Sequence, residues 1–216
     1  MLNLFRYFAL VVLACALPLV GAHAADPATP SFQEGKDYTR LSTPVPTSTP
    51  DKIEVIEMFW YGCPHCFDLE PKVQEWLQHK PENVAFVRIP VSFGANWEPG
   101  ARAYYSAQSL GVLDQINKPL FDAIHVEKRR LSNEDEMAAF FAEHGVDEAA
   151  FRKAYNSFQT ETELRRGNQL AQRYGVRGVP AVIVNGKYSV QSQRMFEVVD
   201  FLVAQEAAAA PGGHGG

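Results

Sequence analysis

Two cysteines, Cys63 and Cys66, stand two residues apart with Pro64 and His65 between them. A disulfide that acts as a staple closes a long loop, because the denatured-state entropy it removes grows with loop length, so a bridge across two residues contributes little stability. The spacing points instead to thiols whose reactivity matters. Pro is favoured at the first helical position, where its missing N–H would have no partner. If Pro64 opens a helix, Cys63 is the N-cap, and its sulfur faces the free amides of His65 and Cys66 at the positive end of the helix dipole. A thiolate is stabilised there, and a protonated His65 adds a second favourable charge. Cys66, one turn further in, lies within disulfide reach of Cys63, and its sulfur is expected to be buried and inert.

Two other chemistries use the same residue types. Half of a zinc site would need further ligands, but beyond the pair the chain after residue 24 offers only His65, His79, His125, His144 and His214, with no second cysteine pair and no His-x3-His spacing. A lone nucleophilic cysteine paired with a distant histidine, as in a protease or acyltransferase, leaves Cys66 unexplained. No metal and no cofactor are expected.

The redox compartment follows from the N-terminus. Arg6 precedes an apolar run over 8–20, and the small-x-small site Ala22-His23-Ala24 follows, which reads as a cleaved secretory signal over 1–24. Cys15 lies in the middle of the apolar run and does not read as a lipoprotein cysteine. Cleavage leaves 192 of the 216 residues, with 19 basic against 25 acidic side chains and only two cysteines, in a compartment where stray thiols oxidise. This mild acidity provides no counter-charge for a phosphate backbone, so nucleic-acid binding is excluded as a function class. With 46% hydrophobic and 21% charged residues the chain reads as an ordinary globular protein, long enough to bury a core without a disulfide framework.

The elements that must position the pair can be read in order. Residues 25–51, rich in Pro, Thr and Ser, read as an extended arm with one short strand around 38–41. Residues 53–59 read as a strand, 66–78 as a helix kinked by Pro71, and 84–89 as a second strand, parallel to the first. From 97 to 174 the pattern is helical, with caps at Ser132 (Asp135 three residues on) and Asp147, and a run over 158–174 stopped by Gly175. A strand over 181–184, the turn Asn185-Gly186 and a strand over 187–190 predict a hairpin with a two-residue turn. A helix over 194–205 and a frayed tail over 206–216 complete the chain. The fold class is therefore α/β with an all-helical insertion: a first part with the arm over 25–96, the insertion over 97–167 and a second part over 168–205.

With the motifs in place, the chain resembles the DsbA-like periplasmic thiol:disulfide oxidoreductases, which are built on the thioredoxin fold. The resemblance rests on Phe59-Trp60-Tyr61-Gly62-Cys63-Pro64-His65-Cys66, on Arg177-Gly178-Val179-Pro180-Ala181, on Val184-Asn185-Gly186-Lys187-Tyr188, and on the helical block between them. It implies a thioredoxin-like fold interrupted by the helical insertion, and a redox disulfide between Cys63 and Cys66. It also implies oxidation of reduced, unfolded exported proteins and reoxidation by a DsbB-type membrane quinone reductase. A monomer is expected. A disulfide isomerase or reductase of similar fold is the nearest alternative, although residues 25–51 are too few for the dimerisation domain of known isomerases. A non-enzymatic binding protein or holdase with a structural disulfide is the alternative from another class.

Two further positions combine the resemblance with a physical reading. Strand alternation places Ile53, Val55, Glu57 and Phe59 on one face, so Glu57 is a carboxylate in an apolar row. It reads either as an ion-pair partner of Arg88 on the neighbouring strand or, matching the family's buried acid, as the proton acceptor for Cys66, with Glu70 on the face of Cys66 assisting through water. The resemblance implies a cis Val179-Pro180 peptide beside the cysteines, with Val179 and Pro180 binding an extended substrate segment; without it, a trans proline opening a strand is the base-rate state. The set Phe59, Trp60 and Tyr61 reads as core rather than contact surface, and the insertion is expected to shape the groove that receives substrate.

Overall fold

The computed structural model describes residues 31–190 and 192–209. The segment 1–24 expected to be a secretory signal, with Cys15, and the last residues of the tail lie outside them. Strand β1 (Tyr38–Arg40) leads to β2 (Ile53–Phe59), the redox helix α1 (Pro64–His79) and β3 (Val84–Pro90). Helices α2 (Glu98–Ser109), α3 (Leu113–His125), α4 (Glu134–Glu143), α5 (Glu148–Tyr155) and α6 (Phe158–Arg173) follow. The chain returns through β4 (Ala181–Val184) and β5 (Tyr188–Val190) to α7 (Met195–Ala209).

The sheet order is β1-β5-β4-β2-β3. β2 and β3 run parallel across α1, the expected βαβ unit, while β4 lies antiparallel to β2 on its other side. All seven residues of β2 are buried, because it is flanked by two strands and covered on both faces. Ile53 and Val55 pack with Trp76 of α1 and with α7 through Val198, Val199 and Leu202. Ile56 and Met58 point the other way, against Ile183 and the end of α6 at Ala171 and Tyr174. The C-terminal end of β2 enters a third cluster, in which Phe59, Tyr61, Cys63 and Cys66 share one core with residues of α2 to α6. This is the thioredoxin-like sheet with its helical insertion.

Several local expectations change. Asn133, not Ser132, caps α4 by accepting from the Glu136 N–H at 2.9 Å, and the Glu136 carboxylate reaches back to the Ser132 N–H at 2.6 Å. The capping pair is therefore shifted by one residue, to an Asn with a Glu three places on. Asp147 caps α5 as expected. At the hairpin, Asn185 and Gly186 both have positive φ (49° and 62°), and the Lys187 N–H closes the turn on the Val184 carbonyl at 3.0 Å. The ladder nevertheless pairs Val184 with Tyr188, so three residues connect the strands; the Lys187 carbonyl is taken by the Leu41 N–H at 2.8 Å. α6 runs unbroken past residue 167, where the insertion was expected to end, while α1 is one helix that contains Pro71, as expected. Residues 206–209, read as frayed tail, are helical: Glu206 is buried and accepts from Asn185, Lys187 and Tyr188.

Candidate active site

β2 delivers the chain to a tight turn in which the Cys63 N–H donates to the Trp60 carbonyl at 3.0 Å. Cys63 then caps α1 in extended geometry (φ −85°, ψ 116°), and its carbonyl accepts from the Cys66 and Phe67 amides at 3.1 Å each. Pro64 is the first helical residue, as its missing donor favours. Both cysteines are free thiols here. The Cys63 side chain makes no cap hydrogen bond; its thiol donates to the Val179 carbonyl at 3.5 Å. A neutral thiol is a weak acceptor as well as a weak donor, and here it is used as the donor.

The two sulfurs differ in access. Cys63 keeps 7% of its surface in solvent and Cys66 keeps none. Burial pushes the Cys66 thiol up, opposed by a backbone hydrogen bond from Trp60 and reinforced by Cys63 and by the charge of Glu57. The Val179-Pro180 peptide is cis, as the resemblance implied, and its Val179 carbonyl is the Cys63 contact. His65 is exposed and lines, with Asp68, Lys72, Pro180 and Arg194, a groove of about 720 Å³.

Behind Cys66 lies a buried charged strip. Glu57 sits directly across from Arg88 in the parallel ladder, and Arg88 Nε donates to Glu57 Oε2 at 2.8 Å. The other arm, Arg88 Nη2, donates to Glu70 Oε2 at 2.7 Å. Asn117 of α3 ties the strip to the insertion, donating to Glu70 Oε1 at 3.3 Å while accepting from the Tyr61 hydroxyl at 2.8 Å. Two largely buried carboxylates thus share one guanidinium. Burial pushes Glu57 up to about 7; the Arg88 charge pulls it down, and Glu70 pushes it up again. Desolvation wins because Glu57 keeps only 2% of its surface exposed. Glu70, Arg88 and Asn117 line a cavity of about 1170 Å³ between α1, β3, α2 and α3, so the strip meets solvent there.

The sequence reading thus placed Cys63, His65, Cys66, Val179 and Pro180 at one end of the sheet, and Glu57, Glu70 and Arg88 beneath them. It missed Asn117, whose partners are 56 and 47 residues away and leave no local signal. It missed His125 as well, whose Nε2 donates to the Tyr61 carbonyl at 2.7 Å and whose ring stacks on Phe67. It also took Trp60 as core. Phe59 and Tyr61 are buried, but Trp60 is half-buried. Among the described residues no group of three or more His, Cys, Asp or Glu side chains is placed to hold a metal ion.

A cysteine at the mouth of a helix N-terminus, a second sealed one turn in, and a cis proline loop against the first define a thioredoxin-fold thiol:disulfide oxidoreductase. The DSBA-like thioredoxin domain model matches residues 54–203, and the chain belongs to that family. It is 37% identical to the thiol:disulfide interchange protein DsbA of Azotobacter vinelandii, over 92% of this chain and 96% of that one. It is 40% identical to the protein of the same name from Pseudomonas aeruginosa, over 83% and 88%. The crystal structure of Pseudomonas aeruginosa DsbA superposes with a TM-score of 0.79 at 40% identity, covering 82% of this chain and 96% of that chain. The oxidoreductase DsbA from Xylella fastidiosa gives 0.77 at 33% identity, covering 83% and 99%.

Proposed function

We propose that the oxidised chain donates its Cys63–Cys66 disulfide to reduced, unfolded exported proteins. The observation that carries this reading is the asymmetry of the pair: Cys63 opens at a helix N-terminus with its sulfur 3.5 Å from the Val179 carbonyl, while Cys66 is sealed. A substrate thiolate attacks the Cys63 sulfur, the bond between the cysteines breaks, and Cys66 leaves as a thiolate in a site where burial favours its protonated form. Glu57, in charge contact with Cys66, supplies that proton and regains one from the solvent of the cavity that Glu70 and Arg88 line. A second substrate thiol gives up its proton and attacks the mixed disulfide at the substrate sulfur. Cys63 is released as a thiolate, stabilised by the dipole of α1 and by His65 when that ring is protonated. The substrate dithiol has lost two electrons and two protons; the chain has gained both electrons and one proton, carried on Cys66, while Cys63 stays a thiolate and the other proton goes to solvent. The Val179 main chain and Pro180 align the extended substrate segment.

The gained electrons must leave again, and the family resemblance assigns this step to a DsbB-type membrane quinone reductase. The signal over 1–24 assigns the chain to the periplasm; among the described residues no helix is long and apolar enough to cross a membrane. Two measurements test the reading. Cys66→Ala is expected to trap mixed disulfides with exported proteins and Cys63→Ala to trap few; equal trapping refutes the division of labour. Equilibration in glutathione buffers is expected to place the potential above about −200 mV, whereas a value at or below that of a reductant, about −270 mV, refutes the oxidase direction.

A further inference from the structure

Tyr61 and Gly62 are the central residues of the β-turn that the Cys63 N–H closes on the Trp60 carbonyl. The peptide between them lies across that turn and ends at the residue before Cys63. A central turn peptide has two orientations that keep the closing hydrogen bond, type I and type II, in which its carbonyl oxygen and its N–H exchange sides. Type II needs a positive φ at the second central residue, which glycine adopts without steric cost. Gly62 stands at that position, yet it is not among the glycines with positive φ. Both orientations are open to these residues, and the structure holds one.

A single hydrogen bond from the insertion holds it. His125 Nε2 donates to the Tyr61 carbonyl at 2.7 Å; the neutral ring must carry its proton on Nε2 to do so, and a protonated ring donates equally. Among the described residues nothing accepts from the Gly62 N–H, so the other end of the peptide is unanchored. The imidazole itself is set, stacked on Phe67 of α1 at 4.8 Å and 15° between planes. Asn117, Phe121 and His125 follow at four-residue spacing along one face of α3, and all three meet Tyr61. Asn117 accepts from its hydroxyl at 2.8 Å and Phe121 packs on its ring at 4.7 Å, which fixes the side chain. His125 alone acts on the main chain that leads to Cys63.

We propose that His125 is a positioning residue of the redox turn, which holds the Tyr61–Gly62 peptide with its oxygen toward α3 and thereby favours the reduced form of the pair. The proposal rests on the reading of Cys63 as the sulfur released as a thiolate. This peptide is trans, so its oxygen and its N–H point to opposite sides. With the oxygen tied to His125, the Gly62 N–H, the last unused backbone donor before Cys63, is kept on the side away from α3. A flip reverses the peptide dipole and puts a carbonyl oxygen where that donor stands. Donors favour a thiolate and carbonyl oxygens disfavour it, so losing the lock makes the chain a weaker oxidant.

The test is the equilibrium constant of the full chain with glutathione, measured for wild type, His125→Phe and His125→Gln. Phe keeps a ring on Phe67 without a donor, whereas Gln carries an N–H at the same remove from Cβ without the ring. His125→Phe is expected to shift the equilibrium roughly fivefold toward the oxidised chain, the size of one net hydrogen bond and about 20 mV for a two-electron couple. Its Gly62 amide is expected to show exchange broadening by NMR relaxation dispersion, which the wild-type amide lacks. His125→Gln is expected to restore both readouts. If His125→Phe does not fold, His125→Met, which lacks the donor and adapts to an irregular site, gives the same comparison. A donor-free variant that melts earlier with an unchanged constant marks a merely structural contact and overturns the lock. So does a Gln variant shifted as far as the Phe variant, and both results leave the oxidoreductase reading standing. A wild-type chain that does not equilibrate with glutathione overturns that reading and the lock with it.

Discussion

Glu57 and Glu70 are both held by Arg88, and the buried strip is close to neutral only when one carboxyl keeps its proton. Glu57 is the one that keeps it, since burial raises it from 4.5 to about 7. In the unfolded chain this carboxyl ionises near its ordinary value, so between the two values the native state binds more protons. The stabilisation is therefore complete below about 4.5 and is lost as pH rises through about 7, a change of about 3 kcal/mol for this fully buried group. Urea unfolding from pH 4.5 to 8.5 checks it: the stability of Glu57→Gln relative to wild type is expected to rise by about that amount across the window, and a flat difference refutes the shift. The same variant is expected to slow disulfide exchange about a hundredfold and to flatten its pH profile near 7, because Gln carries no transferable proton. Glu57 was legible from strand alternation, and Arg88 from its place on the next strand. The side chains that complete the strip were not, since Asn117 and the Tyr61 hydroxyl meet only after α3 has folded back on the turn. Trp60 was misread for the same reason: an aromatic residue beside a core strand is indistinguishable from core until Trp97 is found against it.

Among the elements, the segment before β2 departs most from its composition. Its Pro, Ser and Thr residues read as a loose arm, yet it straps the β4–β5 hairpin. Val45 is buried, and its N–H donates to the Gly186 carbonyl at 2.9 Å. Ser48 and Thr49 hydrogen-bond the buried Glu54 carboxylate, which the sequence reading had left unmarked. Polar side chains that satisfy a buried acid and backbone groups that close on a distant turn leave no periodicity, so only the Asn-Gly turn itself was visible. That turn now has a second requirement. Gly186 has φ +62°, and a Cβ on it would lie 2.0 Å from the Val45 carbonyl oxygen, a backbone atom with no rotamer to escape into. Gly186→Ala must strain the left-handed residue and lift the strap, at a combined cost of about 3 kcal/mol. A fall in melting temperature of about 6–12 °C with unchanged glutathione exchange is expected, and an unchanged melting temperature would show that the strap is dispensable.

For the whole molecule, the decisive feature is that the insertion and the sheet do not have separate cores. Composition and helical spacing separated a strand-bearing part from a helical block. Periodicity shows that a helix has an apolar face without showing which neighbour covers it, so the sequence suggested a removable module that shapes a groove. In the structure, Phe59 and Tyr61 at the end of β2 and both cysteines are buried in one cluster with Ala101, Tyr104, Ile116, Leu120 and Phe121. Polar contacts cross the same boundary, through Asn117 to Glu70 and His125 to the Tyr61 carbonyl. Replacing residues 97–167 by a short linker would expose the fully buried Phe59 and Tyr61, at about 2–3 kcal/mol each, together with the rest of the cluster. Losses of that size add up to the whole net stability of a domain, about 5–15 kcal/mol. The shortened chain is therefore expected to show no cooperative denaturant transition, and its Cys66 to react with a thiol reagent as fast as a free cysteine. In the intact chain, Trp76 reports on the cluster between α1, α7 and the sheet, and Trp60 with Trp97 on the junction with the insertion. Single-tryptophan variants that keep one site or the other are expected to unfold at one common midpoint. Two resolved midpoints, or a shortened chain that unfolds cooperatively with Cys66 still protected, would show that the sheet stands without the insertion and that the redox pair is sealed by the thioredoxin-like part alone.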